Sequence, residues 1–136
     1  MQETTSDRTL LPLRGARLSK HADYQRVYQE SRKYFSASMT YFFSLRGENP
    51  PAVCGPRVGL TAGRVLGKAV ERNRIKRRVR EAVRKNLVGL RSDVDVVLHP
   101  RKIVLEMDFS RLQGEVRRVF ASVEASLKKG TQETDA

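Results

Sequence analysis

The segment Gly63–Lys85, GRVLGKAVERNRIKRRVREAVRK, decides how the rest of the chain is read. From Lys68 to Lys85, nine cations (Lys68, Arg72, Arg74, Lys76, Arg77, Arg78, Arg80, Arg84, Lys85) face only Glu71 and Glu81. That is a net +7 in 18 residues, out of +12 for all 136. A solvated helix face ordinarily intersperses both signs, so this imbalance points to a polyanionic partner. On a helix, Ile75, Val79, Ala82, Val83 and Leu87 fall within one narrow arc that faces a core. Arg74, Arg77, Arg78, Arg80, Arg84 and Lys85 take the remaining arc. Arg72 would point towards the apolar side if the helix began before it. The reading therefore puts Glu71–Arg74 at the loop-to-helix junction, with Gly89 as the C-terminal stop.

Upstream, Arg57 to Ala62 reads as a strand with Val58 and Leu60 on one face. Before it, residues 46–56 (RGENPPAVCGP) hold three prolines and two glycines and form a loop. Ala37 to Leu45 alternates with period two, Met39, Tyr41, Phe43 and Leu45 against Thr40, Phe42 and Ser44. Phe42 makes the second face partly apolar, which implies cover on both sides or an aromatic facing a ligand. A first helix is expected from Ser19 as N-cap, with Asp23 in its early turns and a stripe of Tyr24, Val27 and Tyr28. Those tyrosines admit two readings, amphipathic packing or stacking of a ligand. Residues 1–13 read as a flexible tail.

Downstream, Val94 to Leu98 fits an inner strand, ended by Pro100. A last helix starts at Asp108 as N-cap and buries Leu112, Val116, Val119, Phe120, Val123 and Leu127. Gly130 is expected to stop it and residues 130–136 to be disordered. The order α-β-β-α-β-α makes one α+β domain, a small α/β sandwich. The Arg57–Leu98 unit needs a crossover if its strands are parallel neighbours, and the general rule makes that crossover right-handed.

Composition narrows the partner. Arginine outnumbers lysine 19 to 8; guanidinium forks pair bidentately with phosphate and stack on bases, which favours nucleic acid. One cysteine, Cys54, and two histidines exclude an internal disulfide and a standard zinc site. No secretory signal and no apolar run of bilayer length is present, so a cytoplasmic location without membrane contact is expected. Gly63-x-x-x-Gly67-Lys68 is one residue short of a phosphate loop, and Ala69 stands where a magnesium-binding hydroxyl is required. His21 and His99 have no acid or nucleophile neighbour in sequence, so the protein alone does not read as a catalyst. The deep groove of A-form RNA excludes side chains, so an RNA-directed helix would fix phosphates by shape. Tyr24, Tyr28 and Phe42 offer stacking for unpaired bases. On the residues alone, a ribosome-associated RNA binder and a DNA-binding regulator remain alternatives, the latter without a helix-turn-helix pattern.

Gly67-Lys68-Ala69-Val70-Glu71-Arg72-Asn73-Arg74-Ile75-Lys76-Arg77-Arg78-Val79-Arg80 resembles the hallmark of the bacterial ribonuclease P protein component, an Arg-Asn-Arg motif inside G-x-A-V-x-R-N-R-x-K-R-x-x-R. Pro56-Arg57-Val58-Gly59-Leu60 extends the match upstream. Arg17-Leu18 followed by Asp23-Tyr24-Gln25-Arg26-Val27-Tyr28 matches the family's acidic-aromatic run. The order of elements agrees over residues 14–129.

The resemblance implies a fold like domain 2 of ribosomal protein S5, with a left-handed β-α-β crossover against the general rule. It implies a monomeric subunit of a ribonucleoprotein that binds a catalytic RNA and precursor tRNA. The holoenzyme would be an endoribonuclease that removes 5′ leaders, with chemistry carried by the RNA and by magnesium held mainly on it. Arg64, Lys68, Arg72, Asn73, Arg74, Lys76, Arg77, Arg78 and Arg80 would bind the catalytic RNA. Tyr24, Tyr28, Phe42 and Arg57 would line a cleft for the single-stranded leader. No catalytic or metal residue is implied on the protein. The chain departs from the family in three places. Val65 stands where a cation is usual, Glu30-Ser31-Arg32-Lys33 lacks the glycine common after the first helix, and Ile103-Val104-Leu105 is unusually apolar.

Overall fold

The computed structural model describes residues 17–46, 55–90 and 92–135, with side chains through Lys128. The expected tail 1–13, Cys54 and most of the proline-rich loop lie outside the described residues. Among the described residues three helices, α1 (His21–Glu30), α2 (Ala69–Asn86) and α3 (Phe109–Asp135), pack on a four-stranded mixed sheet. The strands are β1 (Tyr34–Phe35), β2 (Met39–Leu45), β3 (Arg57–Leu60) and β4 (Val94–Pro100), in spatial order β1-β2-β4-β3. β4 runs antiparallel to β2 and parallel to β3, and it is an inner strand, as its apolar run predicts.

Period-two alternation assigns the two faces. Met39, Tyr41 and Phe43 of β2, Val58 of β3, and Val94, Val96 and Leu98 of β4 point into the main core with α2 and α3. From α2 come Ile75, Val79, Ala82 and Val83; from α3 come Leu112, Val116, Val119, Phe120 and Val123. Each such fully buried aliphatic or aromatic side chain contributes about 1.5–3 kcal/mol. Val104, fully buried within a 3-10 turn (Lys102–Leu105), plugs the same core and Leu105 packs against it, whereas Ile103 is exposed.

The opposite face carries α1 and is far smaller, its buried cluster being Leu18, Val27 and Val97. Strand register lays three rows across this face. Arg57, Asp95 and Ser44 form one, Gly59, Val97 and Phe42 the next, and His99 with Thr40 the third.

Several boundaries differ from the sequence reading. The cap of α1 is the backbone of Lys20, not Ser19; the Lys20 carbonyl accepts from the N–H groups of Asp23 and Tyr24 at 3.1 and 3.2 Å. A two-residue strand, β1, precedes β2, and Ser38 is buried outside the strand with its hydroxyl donating to Glu115 at 2.8 Å. β3 ends at Leu60. α2 begins at Ala69, so Arg72 lies inside its first turns rather than before it. The early start is fixed by the Glu71 carboxylate, which accepts the Lys68 backbone N–H at 3.1 Å. Gly67, at φ 121°, supplies the turn into the helix, and a Cβ there would collide with that same carboxylate. α3 continues through Gly130 to Asp135. An interior glycine costs a helix only about 1 kcal/mol relative to alanine, so Gly130 ends it only if it turns left-handed.

Candidate nucleic-acid interface

Two surfaces carry the residues singled out in the sequence. On the first, Arg64, Lys68, Asn73, Arg74 and Arg77 are exposed. None of the cations from Arg64 to Arg80 has a carboxylate partner among the described residues, and Glu71 is spent on the helix cap. Further along α2 the charge is matched locally. Arg84 pairs with Glu81 at 2.6 Å and holds that carboxyl below its usual range, while Lys85 sits 5.5 Å from the Phe109 ring centroid. The uncompensated charge is therefore concentrated at the N-terminal two-thirds of the helix. Val70, Asn73, Lys76, Arg77 and Arg80 line a shallow concavity on it.

The arginines are not equivalent. Arg72 and Arg78 are half-buried with their Nε atoms enclosed, and Arg78 also donates to the Met107 carbonyl. Neither Nε has a hydrogen-bond partner among the described residues. Val65 is 92% exposed at the approach to the helix.

The second surface lies beneath α1. Tyr28 meets Phe42 edge-on at 5.0 Å and His99 at 5.7 Å, and its hydroxyl is 2.8 Å from His99 Nε2. All three rings are half-exposed, and Tyr28 and Phe42 pack against the small cluster beneath α1. Burial, opposed by a hydrogen bond with Thr61, raises the Tyr28 pKa; burial and then Lys33 lower that of His99. Both groups are accordingly neutral near pH 7. Tyr24 is placed differently. Its hydroxyl donates to the Leu18 carbonyl at 3.0 Å and accepts the Leu60 N–H at 3.1 Å. A Cβ on Gly59 would lie 2.6 Å from that hydroxyl, so glycine is what lets the ring rest on the sheet.

Arg57, expected beside the leader, gives both prongs of its guanidinium to Asp95 at 2.9 and 2.8 Å and its third nitrogen to Asp23 at 3.5 Å. Asp95 is fully buried and also receives Arg46 at 2.6 Å and Arg26 of α1. One carboxylate thus ties α1, the end of β2 and β3 to the central strand.

A family model, Ribonuclease P, matches residues 13–124. The chain belongs to the ribonuclease P protein family. It is 41% identical to the ribonuclease P protein component of Chloroflexus aggregans, over 79% of this chain and 76% of that one. It is 37% identical to that of Symbiobacterium thermophilum, over 76% and 87%. Among solved structures, the RNase P protein from Thermotoga maritima superposes with a TM-score of 0.65 at 27% identity, covering 76% of this chain and 94% of that one. The family's Arg-Asn-Arg motif here occupies the second turn of α2, with Asn73 and Arg74 exposed and Arg72 half-buried. Sequence reasoning missed His99 and Asp95. His99 had no partner nearby in sequence, and its period-two position opposite Thr40 was the available signal. Among the described residues, no helix is long and apolar enough to cross a membrane.

Proposed function

We propose that this chain is the protein subunit of a cytoplasmic ribonuclease P, assisting endonucleolytic removal of 5′ leaders from precursor tRNA. The observation that carries the reading is the run of cations from Arg64 to Arg80, without carboxylate partners among the described residues, beside a separate half-exposed aromatic cluster. Arg64, Lys68, Asn73, Arg74, Lys76 and Arg77 meet phosphates of the catalytic RNA, with the half-buried Arg72 and Arg78 supporting them. Arg80 stands at the edge of this arc. Tyr28, Phe42 and His99 receive unpaired leader bases by stacking. Tyr24 and Arg57 hold the groove's frame, since their polar groups are engaged within the protein.

Among the described residues no three His, Cys, Asp or Glu side chains converge, and Asp95 is surrounded by arginines. Magnesium and the hydrolytic step belong to the RNA in this reading. Adding the protein, as a monomer, to a bacterial ribonuclease P RNA at moderate magnesium should accelerate precursor-tRNA cleavage over RNA alone. No acceleration with several such RNAs would overturn the reading.

A further inference from the structure

The two-residue edge strand β1 divides its side chains between the faces of the sheet. Tyr34 pairs with Tyr41, stacks on it at 5.4 Å between ring centroids and packs against the main core. Phe35 pairs with Thr40, and Thr40 in turn with His99. Directly paired residues of antiparallel strands share a face. Phe35 therefore lies on the α1 side, in one row with Thr40 and His99. Two strand spacings, roughly 10 Å, separate its backbone from that of His99.

The core does not bury this ring. Phe35 is 65% exposed, and it is the one aromatic among the exposed large hydrophobics of the described residues. A single exposed apolar residue is ordinary on a surface; its surroundings set this one apart. The Lys33 ammonium lies 5.7 Å from the ring centroid, within cation–π range. After burial, the same ammonium is what lowers the pKa of His99, so its charge reaches both rings. Arg101, exposed just past β4, donates to the Ala37 carbonyl at 3.4 Å, in the link from β1 to β2. Neither Lys33 nor Arg101 has a carboxylate partner among the described residues.

These neighbours narrow the occupant. Rings interleaved with cations on a sheet face suit single-stranded RNA, the rings taking bases and the cations the backbone. A protein strand adding to the edge would find only the two residues of β1 to pair with. The row is also continuous with the half-exposed cluster of Tyr28, Phe42 and His99, which already offers stacking.

We propose that Phe35, with Lys33 beside it, is a further stacking site for an unpaired base, extending the single-strand track from Tyr28, Phe42 and His99 over Thr40 to the outer edge of the sheet. The preference for a single strand stands on the row itself; that the strand is a precursor-tRNA leader rests on the function proposed above. The site adds a contact for leaders long enough to reach β1 and none for shorter ones. Two experiments separate the two parts.

The chain has no tryptophan, so Phe35→Trp places a single fluorophore at an exposed position without disturbing the core. Titrating that full-length variant with oligouridylate should quench its emission saturably as a base stacks on the indole. An abasic oligomer of equal length and charge should quench far less. Equal quenching by the two oligomers, or none by either, would overturn the stacking site. So would quenching that grows with protein concentration in the absence of RNA, which would make the occupant a second copy of this chain. This arm needs no catalytic RNA, so it remains readable even if the protein fails to stimulate cleavage.

In the second experiment, the holoenzyme binds precursor tRNAs whose leaders are lengthened one nucleotide at a time. Wild-type affinity should rise in steps. Phe35→Ala should remove one late step of about tenfold, within the range for a single base–aromatic stack, and keep short-leader affinity. Phe35→Tyr should restore the step, and Phe35→Leu, apolar but without a π-face, should not. A length series identical in wild type and Phe35→Ala would overturn the assignment to the leader. Equal losses at every length would make Phe35 a support of the neighbouring rings and overturn a separate site.

Discussion

From Arg64 to Arg80 the cations have no carboxylate partner among the described residues, and those from Arg72 onward stand on a helix anchored by its apolar stripe. Beneath α1, by contrast, the polar groups of Tyr24, Tyr28, Arg57 and Asp95 are all engaged within the protein, Tyr28 with His99. One surface leaves its interactions open and is defined by charge; the other closes them internally and leaves half-exposed rings. The difference teaches what each can recognise. Exposed guanidinium groups gain affinity from any correctly spaced phosphates and lose it steadily as salt rises. On the proposed reading, a surface of neutral rings selects unpaired bases by stacking and depends little on salt.

The strongest way to break this contrast is to remove the carboxylate that organises the groove face. Asp95→Ala leaves Arg26, Arg46 and Arg57 around a vacated buried site, and unpairing a buried ion cluster costs about 3–5 kcal/mol. Urea denaturation should register that loss; a change below about 1 kcal/mol would mean the arginines relax to solvent and the face is not fixed by Asp95. Gly59→Ala is a finer disturbance, forcing Tyr24 off the sheet. It should cost about 1–3 kcal/mol of stability and weaken leader-containing substrate, with affinity for the catalytic RNA kept. Equal losses on both ligands would show the surfaces to be coupled. Arg74→Ala and Arg77→Ala should each lower the slope of log affinity against log salt for the catalytic RNA by about 0.7–0.9, without changing the urea midpoint. An unchanged slope would remove that residue from the RNA contact.

The smallest effect concerns His99. Burial and Lys33 depress its folded-state pKa below the ordinary value of 6.5. Its contribution to stability is therefore complete above 6.5 and is lost as pH falls through the lower folded value. Tyr28 and Phe42 face it, and no carboxylate in the described groove offsets the charge. His99→Gln should flatten stability between pH 6.5 and more acidic conditions, and an unaltered pH profile would place the depressed titration elsewhere.

Much of this was legible because it depends on local periodicity. The stripe of α2, the inner position of β4 and the buried face of α3 all follow from spacing, and the Arg-Asn-Arg motif points to the family directly. What was not legible depends on contacts remote in sequence. Asp95 sits within the apolar run DVDVVL, and nothing local shows that arginines from α1, β2's end and β3 converge on it. Arg57 looks like a free cation until its partner is known. The two residues of β1 are too few to show a period, and the Lys20 cap of α1 uses backbone alone. Gly130 misleads because a glycine stops a helix only by its conformation. The start of α2 turned on one side-chain bond, from the Glu71 carboxylate to the Lys68 N–H, and that bond places Arg72 on the half-buried side.

The claim that charge and stacking occupy separate surfaces is tested most directly with Tyr28→Ala assembled into the holoenzyme, measuring its affinity for precursor tRNA and for mature tRNA. The account predicts a loss of about 1–3 kcal/mol for the leader-bearing substrate and none for mature tRNA. Equal losses for the two ligands would contradict it.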